Sequence, residues 1–102
     1  MQAKDNDLIS YPIDLSVYDG QGSLLISWTY PDSIQVHEIK IFVQKFGSED
    51  FVLLSKLKND LKQFLDTNCD PGERYVYKIE IEDIYSKTHH SDIVTPPFGT
   101  CI

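Results

Sequence analysis

The side chains of this sequence that could perform acid–base or metal chemistry are scattered carboxylates and three histidines, His37, His89 and His90. Nucleophilic catalysis requires a nucleophile, a base and an orienting group within hydrogen-bond reach, and no pattern in the sequence predicts such a set. His89 and His90 lie in a hairpin loop expected at 86–92. Adjacent residues of an extended chain point to opposite sides, so they chelate one metal poorly, and no spacing resembles a zinc motif. We expect surface histidines and no metal site, with His37 facing solvent ahead of the third strand.

Two further arrangements contain residue types that occur in catalytic or phosphate-binding sites, but their context favours a structural role. Glu80 and Glu82 share the outer face of one expected strand, and a carboxylate pair acts on a glycosidic bond only within a cleft. Gly20 and Gly22 lie between two strands, with no following helix whose N-terminus could bind a phosphate. We therefore predict no catalytic residues, no cofactor and no enzymatic activity.

The two cysteines, Cys69 and Cys101, are too few for a disulfide-dense secreted scaffold. Cys69 is expected to be a free, buried cysteine, which packs as a small hydrophobe, rather than a redox group. Cys101 lies in the C-terminal tail, and its neighbours give no sign of a lowered pKa.

Length and composition predict one soluble domain. The chain has 102 residues, 41% hydrophobic and 25% charged, with 9 Lys and Arg against 16 Asp and Glu and a net charge of -7. A phosphate backbone is repelled by that charge, so we expect no nucleic-acid partner. No window approaches the roughly 20 apolar residues of a membrane span, and the polar N-terminus does not resemble an export signal. We expect synthesis in the cytoplasm and no membrane partner.

Alternation of apolar and polar residues is the dominant pattern, and it predicts strands. It is visible at 13–17, 24–30, 39–43, 75–82 and 91–94. Turn signals recur every 8 to 12 residues or so, which is typical of an all-β sandwich or barrel.

The stretch 51–65 is ambiguous. Leu54, Leu57, Leu61 and Phe64 lie three or four residues apart, which is helical spacing. Asn59-Asp60 favours a turn, however, so we expect strand, turn, strand, with a short helical turn as the alternative.

Two segments resemble a fibronectin type III domain. Trp28 lies within Leu-Leu-Ile-Ser-Trp-Thr-Tyr-Pro at 24–31, where that family carries a core tryptophan in its second strand. At 66–77, Pro71-Gly72 is followed by Tyr75 and by alternating apolar residues, as in the turn into the sixth strand of bacterial and phage members. The resemblance covers roughly 11–95. It implies an all-β, seven-stranded antiparallel Greek-key β-sandwich, with an N-terminal arm at 1–10 and a C-terminal tail at 96–102.

The resemblance also implies roles for single residues. Trp28 would fill the space between the sheets, and Tyr75 would be a tyrosine-corner residue whose hydroxyl bonds to upstream backbone. Pro71 and Gly72 would form the turn. The predicted structural core comprises Trp28, Ile41, Cys69, Tyr75, Tyr77 and Ile79.

Because a fold used so widely does not determine function, the prediction of function rests on context. A lone domain with its own start methionine, no export signal and a phage-type motif favours a small auxiliary virion protein of a tailed phage, in capsid decoration or attached to the tail. Its partners would be other proteins, such as virion subunits. The alternative is an adhesion, receptor or carbohydrate-enzyme accessory module of a longer extracellular protein. The candidate partner contacts are Leu8, Ile9, Phe42, Phe98 and Ile102.

Overall fold

The computed structural model describes residues 12–19, 23–58, 61–67, 69–70 and 73–95. These residues form seven strands and no helix, so this part of the chain is all-β. The strands are β1 (Asp14–Asp19), β2 (Leu24–Thr29), β3 (Val36–Lys45), β4 (Val52–Lys58), β5 (Gln63–Asp66), β6 (Tyr75–Asp83) and β7 (Thr88–His90). They make two antiparallel sheets, a three-stranded one of order β1-β2-β5 and a four-stranded one of order β4-β3-β6-β7.

The two sheets enclose one apolar core, which follows from the alternation in the sequence. Along β6 the burial alternates without a break, so that Tyr75, Tyr77, Ile79, Ile81 and Asp83 face inward. Burying each large apolar side chain contributes roughly 1.5–3 kcal/mol, so the inward rows supply most of the stabilisation. The buried apolar set is Ile13, Leu15, Val17, Leu24, Ile26, Trp28, Ile34, Ile39, Ile41, Cys69, Tyr75, Tyr77, Ile79 and Ile81. All six residues predicted as core are therefore buried.

A buried hydrogen bond joins the two sheets. The hydroxyl of Tyr77, on β6, donates to Asp66 Oδ2, on β5, across 2.8 Å. Tyr77 is fully buried and Asp66 is 4% exposed. Burial, assisted by the hydrogen bond to Asp66, raises the pKa of Tyr77, so its hydroxyl stays a donor at any ordinary pH.

The predicted contact of the Tyr75 hydroxyl with upstream backbone is present. The Asp70 amide donates to that hydroxyl across 2.8 Å, which ties the start of β6 to the chain five residues before it. Pro71 and Gly72, predicted to form the intervening turn, lie outside the described residues.

The ambiguous stretch 51–65 contains the strands β4 and β5, as expected. Its helical spacing has a specific cause in β4. On β3, Ile41 is opposite Ser55 and Phe42 is opposite Leu53, so Leu54 is an extra residue in a β-bulge. The bulge interrupts the alternation of faces, and Leu54 and Leu57 both pack against the core although they are three residues apart. The predicted turn at 59–60 lies outside the described part of the chain.

The end of the predicted strand set requires a correction. The sequence placed His89 and His90 in a loop at 86–92 and the last strand at 91–94. The structure instead has a tight turn after β6 and places both histidines in β7. Beyond β7, pairing continues only as isolated bridges, from Ser91 to Ile13 and from Val94 to Tyr77. His37, expected ahead of β3, is exposed but lies within that strand.

Cys69 also requires a correction. It is buried, as predicted, but it is disulfide-bonded rather than free. The sequence has one other cysteine, Cys101, which lies outside the described residues. The prediction was wrong because a count of two cysteines shows that a disulfide scaffold is absent, and leaves open whether a single pair forms.

Candidate functional site

Two of the histidines considered above for metal chemistry, His89 and His90, make structural contacts with carboxylates. His89 Nε2 lies 2.9 Å from Asp83 Oδ2, and His90 Nδ1 lies 3.8 Å from Glu80 Oε2. Within the described residues no three His, Cys, Asp or Glu side chains gather as a metal would need. The same residues contain no helix long and apolar enough to cross a membrane.

Asp83 organises the turn between β6 and β7. Its Oδ1 accepts hydrogen bonds from the amides of Tyr85 (2.8 Å) and Lys87 (2.9 Å), while Oδ2 contacts His89. The hydrogen bond with His89, followed by that from the Lys87 amide, lowers the pKa of Asp83. These contacts stabilise a turn in which Ser86 has a φ of 67°, so the cluster has a complete structural explanation.

An open groove lies between β1 and the segment after β7. It is lined by Ile13, Asp14, Leu15, Asp92 and Val94. Asp14 and Asp92 are exposed, and the other described residues of the lining are apolar.

The outer face of the four-stranded sheet carries a more distinctive arrangement, which we call the aromatic–cation face: Phe42, Phe46, Phe51, Arg74 and Lys78. The Lys78 ammonium lies 4.5 Å from the Phe51 ring centroid and 5.4 Å from that of Phe42. The Arg74 guanidinium lies 5.7 Å from the Phe46 ring centroid. Each of these distances is within the range of a cation–π interaction.

Strand pairing produces this face. Phe42 and Gln44 on β3 are directly opposite Lys78 and Val76 on β6, and the amide of Phe46 donates to the Arg74 carbonyl across 2.8 Å. Alternate residues of a strand lie on one face, so a row of aromatic, polar and aromatic side chains faces a row of cationic, apolar and cationic ones.

The face is partly open to solvent. Phe46 is 71% exposed, and Leu53, which is opposite Phe42 on β4, is 46% exposed. Phe42 was predicted to be an exposed contact. It is instead half-buried, and Lys78 lies over its ring. The accessible apolar surface therefore lies mainly at Phe46 and Leu53.

The two cations of this face differ in their partners from Lys40 and Lys45, the two lysines of β3. Lys45 pairs with Asp70 (3.9 Å) and Glu73 (3.4 Å), and Lys40 pairs with Glu38 (4.0 Å). Among the described residues, neither Arg74 nor Lys78 has a carboxylate within ion-pair distance. Within this part of the chain, the close side-chain contacts of both cations are with aromatic rings.

Sequence reasoning did not find this face. It named Phe42 but missed Phe46, Phe51, Arg74 and Lys78, because the aromatic and cationic residues lie in segments that are distant in the sequence. The period-two spacing of each row was visible, and only the register of β3 with β6 joins the rows. The other predicted contacts, Leu8, Ile9, Phe98 and Ile102, lie outside the described residues.

No protein family and no curated protein matches the sequence. Solved structures match its fold. Pectate lyase PelI from Erwinia chrysanthemi, solved in complex with tetragalacturonic acid, has a TM-score of 0.74 at 17% identity over 81% of this chain and 27% of the lyase chain. Pectate lyase Pel3 from Pectobacterium carotovorum has a TM-score of 0.74 at 14% identity, over 81% of this chain and 26% of its own.

A third structure, described as "Myokine structure", has a TM-score of 0.73 at 18% identity and covers 91% of this chain and 98% of its own. The present chain thus spans about a quarter of each pectate lyase but nearly all of the myokine structure. At these identities the likeness shows the fold alone: an all-β arrangement of two antiparallel sheets that occurs both within larger chains and by itself.

Proposed function

We propose that this chain is a non-enzymatic interaction module with the Greek-key arrangement of a fibronectin type III domain, and that it acts through contacts with other proteins. The observation that carries the proposal is the aromatic–cation face. On an acidic protein, it presents apolar side chains and two cations that have no acidic partner among the described residues.

The assignment to the fibronectin type III fold is supported by three features. Trp28, in the second strand, is buried between the sheets at 1% exposure. Tyr75, at the start of the sixth strand, accepts a hydrogen bond from backbone five residues upstream, as a tyrosine corner requires. The chain also crosses between the sheets after β2, β4 and β5, so that strands distant in sequence become neighbours, as in a Greek key.

The disulfide at Cys69 supports a working environment outside the reducing cytosol. Disulfides persist in oxidising settings, which include virion surfaces and extracellular fluid. Both settings considered from the sequence, a tailed-phage virion and an extracellular protein, satisfy this condition. Of the two, we propose decoration of a phage capsid or tail. This role predicts that the chain is present on assembled phage particles.

Photo-crosslinking in the organism that produces the chain tests the proposal. The photoreactive phenylalanine analogue replaces Phe46 in one variant and Leu65 in a matched control, because Leu65 is 50% exposed on the opposite sheet. We expect Phe46 to give one discrete protein adduct and Leu65 to give none. A phage role predicts that the adduct sediments with particles, and an extracellular role predicts adduct in the medium. A chain that sediments as a free monomer and forms no adduct at either position would contradict the proposal.

A second candidate function is that of an accessory module that contacts acidic polysaccharide. The 71% exposed ring of Phe46 and the two cations favour it, since stacking on a ring and pairing with cations are means of holding an acidic sugar. The structural likeness to parts of pectate lyases is compatible with such a role. An NMR titration with tetragalacturonic acid tests it directly, and shifts confined to β3 and β6 are expected if it holds.

A further inference from the structure

We infer that the aromatic–cation face binds an extended segment of a partner protein that carries carboxylates four residues apart and an apolar side chain midway between them. The inference rests on the proposed function and specifies the partner's chemistry.

Charge complementarity indicates the carboxylates. The chain has a net charge of -7, yet Lys78 and Arg74 have only aromatic partners among the described residues. A contact with a ring face does not occupy the N–H donors of a cation with an acceptor, so both cations retain donors for an anion. Glu80 follows Lys78 on the outer side of β6, so a carboxylate is attracted at Arg74 and Lys78 and repelled beyond them.

Strand geometry indicates the spacing. Val76 and Lys78 are alternate residues on the outer side of β6, and Arg74 lies two residues before Val76, just ahead of the strand. In extended chain the two cations are about 13 Å apart at the usual rise per residue. An extended partner segment places residues i, i+2 and i+4 on one face with the same spacing. Carboxylates at i and i+4 would then meet the two cations, and the apolar residue at i+2 would cover Val76 and Gln44.

The same features argue against other occupants. A second copy of this chain carries the same net charge of -7, so the two copies repel each other. A sugar needs open ring faces for stacking, whereas Lys78 covers both Phe42 and Phe51. Pairing of a strand onto the edge of β4 is opposed by the bulge at Leu54 and by exposed lysines, both of which protect edges.

The experiment is an NMR titration of the full chain with a synthetic peptide of sequence Gly-Glu-Thr-Ile-Thr-Glu-Gly, blocked at both ends. The control peptide carries glutamine in place of both glutamates. We expect the acidic peptide to shift amides of β3 and β6 around 42–46 and 74–78, and binding should weaken as salt is raised because the pairing is electrostatic. The control peptide should bind at least about tenfold more weakly.

Two double variants with the same change in charge distinguish binding at this face from a general effect of the protein's net charge. R74Q with K78Q should weaken binding at least about tenfold, whereas K56Q with K58Q, the same charge change on β4, should alter it by less than about twofold. A spectrum that matches that of the parent chain away from the substituted positions would show that each variant is folded.

Three results would overturn the inference: no binding of the acidic peptide, equal weakening by both variant pairs, or shifts on the same residues produced by tetragalacturonic acid and not by the peptide. If the photoreactive analogue at position 46 still captures a discrete protein while the peptide fails, the interaction function stands and only the acidic-segment inference is lost.

Discussion

The hydrogen bond from Tyr77 to Asp66 offers a sharp test of how the sheets are held together. The variant Y77F removes one oxygen and leaves the buried Asp66 side chain without a donor that lies 2.8 Å away. Hydrogen bonds to charged groups contribute about 1.5–3 kcal/mol, so we expect the free energy of unfolding to fall by about that amount. For a domain of this size, a loss of about 2 kcal/mol lowers Tm by roughly 8–16 °C.

Urea unfolding at neutral pH, followed by Trp28 fluorescence, measures the loss. Y85F is the matched control, because Tyr85 is 76% exposed, and it should lie within about 0.5 kcal/mol of the parent chain. A double-mutant cycle with D66N isolates the pair. The Tyr77 substitution should cost less in the asparagine background, since a neutral acceptor gains only about 0.5–1.5 kcal/mol from the same hydroxyl.

The reasoning would be refuted if Y77F proved as harmless as Y85F, or if the cycle gave no coupling between Tyr77 and Asp66. Either result would mean that the buried pair does not join the sheets energetically, and that apolar packing alone holds them.

Other contacts lead to further expected outcomes. The pKa of Asp83 is lowered in the folded state, so its stabilising contribution is present above the pKa of an unfolded aspartate, about 4, and is lost as pH falls through the lower folded value. D83N should flatten this acid dependence in urea titrations, and an unchanged acid limb would contradict the assignment. Removal of the Cys69 disulfide, by C69A or by reduction, should cost about 2–4 kcal/mol, and the oxidised chain should show no reactive thiol. Reactive thiols in the oxidised chain would exclude the disulfide. The Ser91 hydroxyl accepts a hydrogen bond from the Ile79 amide across 2.8 Å. S91A should therefore lower the free energy of unfolding by about 1–3 kcal/mol and speed hydrogen exchange at that amide, whereas S91T should do neither.

The inward rows of the strands were determined by the sequence. Leu24, Ile26 and Trp28 alternate with smaller or more polar neighbours, and such alternation can bury its apolar members only as a strand with one face inward. The same holds for Tyr75, Tyr77 and the isoleucines of β6. The predicted contact of the Tyr75 hydroxyl with upstream backbone was also readable, because it depends on residues close together in the chain.

Local pattern failed where a distant contact decides the structure. His89 and His90 looked like loop residues because Ser, Lys, Thr and Asp surround them. Asp83 caps a turn ahead of them, and pairing with β6 then makes them a strand. Leu54 and Leu57 looked helical, although their spacing results from a bulge that can be located only against β3.

The aromatic–cation face was also predictable only in part from the sequence. The alternation in the sequence placed Phe42 and Gln44 on one side of the third strand, and Val76 and Lys78 on one side of the sixth. Only the antiparallel register of β3 with β6 places the aromatic row against the cationic row, because side-chain period and strand pairing are independent properties of a chain. Which described carboxylates lie near Arg74 and Lys78 likewise depends on how the fold arranges the strands, and no local pattern in the sequence indicates it.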